Sequence, residues 1–154
     1  MCVIVLGAGI LIGGLNFLRS SGKSYVLPVA FGYAEDDTIQ IHIGIPQHVL
    51  RDDPPRENAR GAPLWRKWYE EHFRLFDESE KPVTLRKLGA SPLLIDAPGD
   101  VQFALCADLG KGAQYTCHFF PFRGEPGRYE YSFTAPSEAQ EGSCVFVFAG
   151  NEAS

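Results

Sequence analysis

The sequence predicts a mainly β protein. It reads as an antiparallel β-sandwich of about seven to nine strands with one short helix, preceded by an N-terminal transmembrane or signal-anchor helix. Three observations carry this. Cys2 to Leu18 is an apolar run with no charge. "TIQIHIGI" alternates strictly, as a half-buried antiparallel strand does. From residue 100 onward, short apolar-alternating segments follow one another across turn-like breaks. A chain of 154 residues suits one compact domain. The expected division is a membrane segment with a basic flank over 1–23 and a single sandwich domain over 24–154, with 51–63 an exposed loop.

Within the first segment, "VIVLGAGILIGG" places Gly7, Gly9 and Gly13 close to a dinucleotide fingerprint. That motif needs a strand, a glycine turn, a helix and further βαβ units. Here the only available helix, "ILIGGLNFLRS", holds paired glycines, each costing about 1 kcal/mol relative to alanine. No βαβ units follow. The run is of transmembrane length, at the short end of roughly 17–25 residues, and Gly9 and Gly13 form a small-xxx-small helix-packing face. A nucleotide-binding enzyme stays as a rival reading. Arg19 and Lys23 favour a cytoplasmic C-terminal side by the positive-inside rule. The basic n-region and small-residue cleavage site of a signal peptide are both missing. The sandwich is nonetheless expected outside the cytoplasm, on a single-pass anchor, by analogy with extracytoplasmic sandwiches.

"SYVLPVAFGY" is a strand or connector interrupted by Pro28. In "TIQIHIGI", Ile39, Ile41, Ile43 and Ile45 share one face, and Gln40, His42 and Gly44 the other. "RDDPPRENARGAP" lacks apolar content and carries adjacent prolines, so it is an exposed loop. "LWRKWYEEHFRLF" is the helical candidate, with Trp65, Trp68, Tyr69, His72 and Phe76 on one face and Pro63 near its start. Its end overlaps a hairpin pattern around "DESEKP", in which Phe73, Leu75, Val83 and Leu85 face inward. A short helix turning into that hairpin is expected. "VQFALCADL", "AQYTCHFFPF", "GRYEYSFTA" and "SCVFVFAG" complete the strand set. Eleven Phe and six Tyr, mostly after residue 64, suffice to fill one sizeable core.

In "LGKGAQYTC", Leu109 precedes Tyr115 by six positions and Cys117 follows it by two. This resembles the tyrosine corner of immunoglobulin and fibronectin type III sandwiches. The resemblance covers about 20 residues and implies a fold rather than a function. It also implies a buried Tyr115 ring whose hydroxyl meets a nearby backbone group. "PGRYEYSFTAPSEAQEGSCVFVF" is similar to the last hairpin of cupredoxins, but Phe133 stands near the expected cysteine. No His or Met follows it, so a blue-copper site is excluded.

The chain carries a formal net charge of −5, and twelve basic against nineteen acidic residues leave 24–154 at −7. Such a surface disfavours nucleic acid, which needs a basic patch. Of the cysteines, alternation sends Cys117 and Cys144 toward the aromatic core and turns Cys106 and His118 away. Buried inert thiols are the leading reading, with a Cys117–Cys144 disulfide and a metal or redox cluster as alternatives. No CxxC or other zinc-ligand spacing occurs. His42 and His48 flank "IGIPQ" as two ligand candidates, although His42 is expected to be solvated beside Gln40. No GxSxG elbow marks a nucleophilic serine, and the histidines have no identifiable carboxylate partner. Trp65, Trp68 and Tyr69 in "WRKWYEEHF" are residue types enriched at interface hot spots. The leading reading of them is a helix packed over the sandwich end, with an interface as the alternative. These residues together predict a membrane-anchored sandwich for binding, adaptor or structural roles. It has a protein partner and the membrane as its contacts, no catalytic, cofactor or metal residues, and a metal-handling or redox domain as rival.

Overall fold

The computed structural model describes residues 24–34, 38–89, 91–94, 100–123, 128–139 and 143–149. The N-terminal segment 1–23, and with it the expected membrane helix and its Gly9 and Gly13 packing face, lies outside the described residues. Among the described residues no helix is long and apolar enough to cross a membrane.

The described chain is mainly β, with strands β1 (Ser24–Tyr33), β2 (Ile39–Pro46), β3 (Phe73–Asp77), β4 (Pro82–Val83), β5 (Arg86–Leu88), β6 (Val101–Leu109), β7 (Gln114–Phe119), β8 (Tyr129–Thr134) and β9 (Ser143–Ala149). Helices α1 (Gln47–Asp52) and α2 (Trp65–His72) lie between β2 and β3, and a 3₁₀ turn (Pro92–Leu94) lies between β5 and β6. One sheet has the order β5-β6-β2-β1-β9 and the other β4-β3-β7-β8, and every strand pairing is antiparallel. The chain crosses between sheets after β2, β4, β6 and β8.

The alternation in "TIQIHIGI" decides which face of β2 enters the core. Ile39, Ile41, Ile43 and Ile45 are all fully buried. Their neighbours across the ladder, such as Leu105 opposite Ile43 and Leu109 opposite Ile39, share that face. Pro28 is accommodated because the β1–β2 ladder begins only at Val29, so β2 never asks for the missing N–H. The sheets are joined by aromatic rings. Tyr25 meets Phe119 edge-on at 4.9 Å, Phe119 meets Phe148 at 5.6 Å, and Tyr131 stacks on Phe146 at 4.2 Å.

The expected helix-to-hairpin change is present. Helix α2 ends at His72, β3 starts at Phe73, and Leu75 pairs with Val83 across the turn. Phe76 belongs to that strand rather than to the helix. The turn holds because the Asp77 carboxylate accepts from the backbone of Ser79 and Lys81 while Glu80 takes a positive φ of 62°. The loop 51–63 departs from expectation at its start, since residues 51 and 52 close α1 and Asp53 turns inward. Its remainder is largely exposed but ordered. The Asn58 carboxamide accepts from Arg60 and Ala62, and Gly61 sits at φ 82°.

The Tyr115 hydroxyl accepts the Gly110 N–H at 2.7 Å while its ring is buried. Tyr115→Phe keeps the ring and removes that bond. It is therefore expected to cost about 1 kcal/mol, read as a lower urea midpoint with an unchanged slope.

The outer face of the five-stranded sheet is covered over Ala30 and Ala104. Leu88, Leu93 and Leu94 pack on Ala30 and Ala104. Space beneath them is tight: a Cβ at Gly44 would lie 2.8 Å from the Pro28 ring at Cγ, and one at Gly32 would push Leu93 Cδ1, 2.7 Å away, aside.

Candidate functional site

The fold separates the residues singled out from the sequence. Trp68 is 1% and Tyr69 8% exposed, and both belong to the main core, with Trp65 half-buried against it. The packed helix is thereby borne out and the alternative of a partner-binding surface at Trp65, Trp68 and Tyr69 corrected, because the helix turns this face onto the sandwich end. Trp65 meets Phe103 at 5.1 Å and takes the Lys87 ammonium over its ring.

The Cys117–Cys144 disulfide is overturned, since Cys117 and Cys106 are free and buried. Cys117 stands opposite Tyr131 on β8, and the stacked Tyr131 and Phe146 rings fill the space toward β9. Burial pushes the Cys117 thiol up to about 12, which makes it inert as a nucleophile. Cys106 is on the outer face of one sheet, His118 on the outer face of the other, and Cys117 between them. They cannot form one metal or redox cluster. Among the described residues no three His, Cys, Asp or Glu side chains are grouped to hold a metal ion. His48, on α1, lies against Tyr25 and away from His42.

At the sandwich end where β1 begins, Asp53 ties three segments together. Its carboxylate accepts from the Arg123 guanidinium at 2.7 Å and from the Arg123 backbone at 2.8 Å, and lies 3.0 Å from His72 Nε2. Its carbonyl accepts from the Trp68 indole at 2.6 Å. Burial alone would raise the Asp53 carboxyl. The backbone bond from Arg123, the His72 bond and the Arg123 charge outweigh it and hold the group below its usual range. His72 Nδ1 donates to the Trp68 carbonyl at 2.6 Å, and the side chain is fully buried. No substrate reaches such a ring, so this is a structural knot.

The opposite rim is built by connections. Ala34 N–H donates to Thr38, the Gly112 N–H to Ala135 and the Ala135 N–H to Ala113, which locks the β6–β7 turn to the end of β8. Tyr33 is 50% exposed there, with the Lys111 ammonium 5.5 Å from its ring centre. Asp77, Glu78, Glu80 and Glu138 outnumber Lys81 and Lys111 on this rim.

The third place was missed from the sequence. His42 is 3% exposed, not solvated, because the segment after β5 closes over it. Its Nδ1 meets the Ser91 hydroxyl, and its Nε2 lies 2.7 Å from Gln40 Oε1. Gln40 Nε2 in turn donates to Asp108 at 3.2 Å. Cys106 and Arg86 complete the same face, the guanidinium 3.4 Å from the sulfur. Burial foremost, and then the Arg86 charge, keep His42 below its ordinary value, so the ring is neutral near pH 7. Strand parity put Gln40 and His42 on one face. Nothing local indicated that "SPLL" would fold back over them. No family model, curated protein or solved structure matches the chain.

Proposed function

We propose that this chain is a membrane-tethered, immunoglobulin-like sandwich that binds a protein partner through the rim around Tyr33. One observation carries the reading: Ser24 is the Cα partner of Ala149, so the sandwich begins and ends on the same rim. A tether formed by the apolar run would join there, leaving the acidic rim of Tyr33 pointing outward. The β6–β7 turn, tied to the end of β8, favours binding there, because little of its loop entropy is left to lose. Its charge selects a basic partner surface. The likeness to immunoglobulin sandwiches is supported by the sheet orders. β9-β1-β2-β6-β5 against β4-β3-β7-β8 parallels the ABED and CFG sheets, with one strand added at the edge of each. The same likeness favours an extracytoplasmic position.

The test uses the full chain. It is expected to co-float with phosphatidylcholine vesicles and to resist carbonate extraction. Release by carbonate would overturn the tether. A photo-cross-linking residue at position 33 is expected to capture protein where one at Lys67, on the exposed side of α2, does not. Capture at position 67 alone would assign binding to the other end.

A further inference from the structure

The hydrogen bonds on the outer face of the five-stranded sheet run in one direction. The Asp108 carboxylate can only accept, so it orients the Gln40 carboxamide with its NH₂ toward Asp108. Gln40 Oε1 then faces His42 Nε2, which must carry the ring proton. His42 Nδ1 is left as a lone pair, and its neighbour is the Ser91 hydroxyl. Three side chains from β2 and β6 thus present a base to a serine on the β5–β6 connection. Ser91 is half-buried and His42 is closed off, so the base is shielded from bulk water beside a residue that is itself partly exposed.

We propose that Ser91 is an acyl-accepting nucleophile driven by His42, with uncharged esters of small carboxylic acids as substrates. Leu93 and Leu94 are already packed on Ala30 and Ala104, so only a small acyl group is admitted beside Ser91. Ser91 Oγ attacks the ester carbonyl carbon, forming the Oγ–C bond as its proton moves to His42 Nδ1. The tetrahedral adduct collapses with cleavage of the C–O bond to the alcohol, which leaves with the proton from Nδ1. Water then repeats the cycle on the acyl-serine, releasing the carboxylic acid and restoring the hydroxyl. Gln40 and Asp108 are positioning residues. This reactivity does not rest on the docking role proposed for the rim at Tyr33, although Gln40 lies opposite Gly32 beside that rim.

The experiment exposes the full chain to a small alkyl fluorophosphonate and maps the adduct by peptide mass spectrometry. Here the Oγ–P bond forms and fluoride leaves. The expected result is one adduct, on Ser91, absent in Ser91→Ala. His42→Gln, which keeps a hydrogen-bonding side chain, should slow labelling by roughly 100-fold with an unchanged circular-dichroism spectrum. The wild-type rate is expected to fall as His42 gains a proton on acidification. Arg86 on β5, Cys106 and Asp108 on β6, and Ser91 itself are the polar groups around it. A folded wild-type protein without an adduct on Ser91 overturns the proposal, as does undiminished labelling of folded His42→Gln. Should that variant fail to fold, a wild-type labelling rate that never falls as pH is lowered through the whole range in which the protein stays folded overturns it equally.

Discussion

Trp68→Ala is expected to lower stability by about 3–5 kcal/mol, a drop in melting temperature on the order of 10 °C. Trp68 is among the largest fully buried side chains. It is ringed by Trp65, His72, Phe73 and Phe103 with centroids 4.3–6.4 Å away. Alanine leaves a cavity bounded by these rings, which the flanking strands hold apart. It also strands the Asp53 carbonyl that the indole satisfies. Trp68→Phe keeps part of the apolar contact but loses the hydrogen bond and leaves a smaller cavity, so a loss of about 2 kcal/mol is expected, less than for alanine. Arg66→Ala, on the exposed side of the same helix, should change stability by less than about 0.5 kcal/mol. Its ion pair with Glu70 is solvated. Equal effects from Trp68→Ala and Arg66→Ala would mean that α2 does not pack as described.

Asp53→Ala is expected to cost about 3 kcal/mol near pH 7, because it leaves the Arg123 guanidinium and the buried His72 ring without their shared acceptor. Asp53→Asn, which retains one acceptor oxygen, should recover part of the loss. The Asp53 carboxyl is held below its ordinary value in the folded state. The stability it contributes is therefore fully present above the unfolded value near pH 4, and is lost as pH falls through the folded value. Urea unfolding followed from neutral pH into acid should show wild type converging on Asp53→Ala. Parallel curves that keep their separation to pH 2 would remove Asp53 from the acid transition. His42, also lowered, acts in the same direction across the histidine range.

Much of the architecture was legible because a strand's inward face repeats every second residue. The four isoleucines of β2 and the aromatic strands from Val101 to Phe148 could be assigned a core face without a fold. The change from helix to strand at His72 and Phe73 was legible for a related reason, as the apolar spacing shifts from helical to alternating there. Tyr115 was found by its spacing from Leu109 and Cys117, and its bond to Gly110 is what that spacing serves.

The residues with polar chemistry were legible only in part. Asp53 stands in a charged, proline-rich stretch, and nothing nearby indicates the partners it meets at His72 and Arg123, 19 and 70 positions away. His42 and Gln40 were correctly placed on the polar face of β2, yet that face is buried by residues almost fifty positions later. The membrane expectation for Cys2 to Leu18 rests on composition, which local hydropathy expresses completely.

Periodicity, composition and turn chemistry are properties of neighbouring residues, and they determined from the sequence alone that this is a β protein, where its core faces lie and where its chain turns. Strand order, register and the closure of "SPLL" over the outer sheet are choices among contacts distant in sequence. Only the tertiary structure decided them, because bringing such residues together depends on the packing of the whole core. The Asp108–Gln40–His42–Ser91 chain exists only at that level.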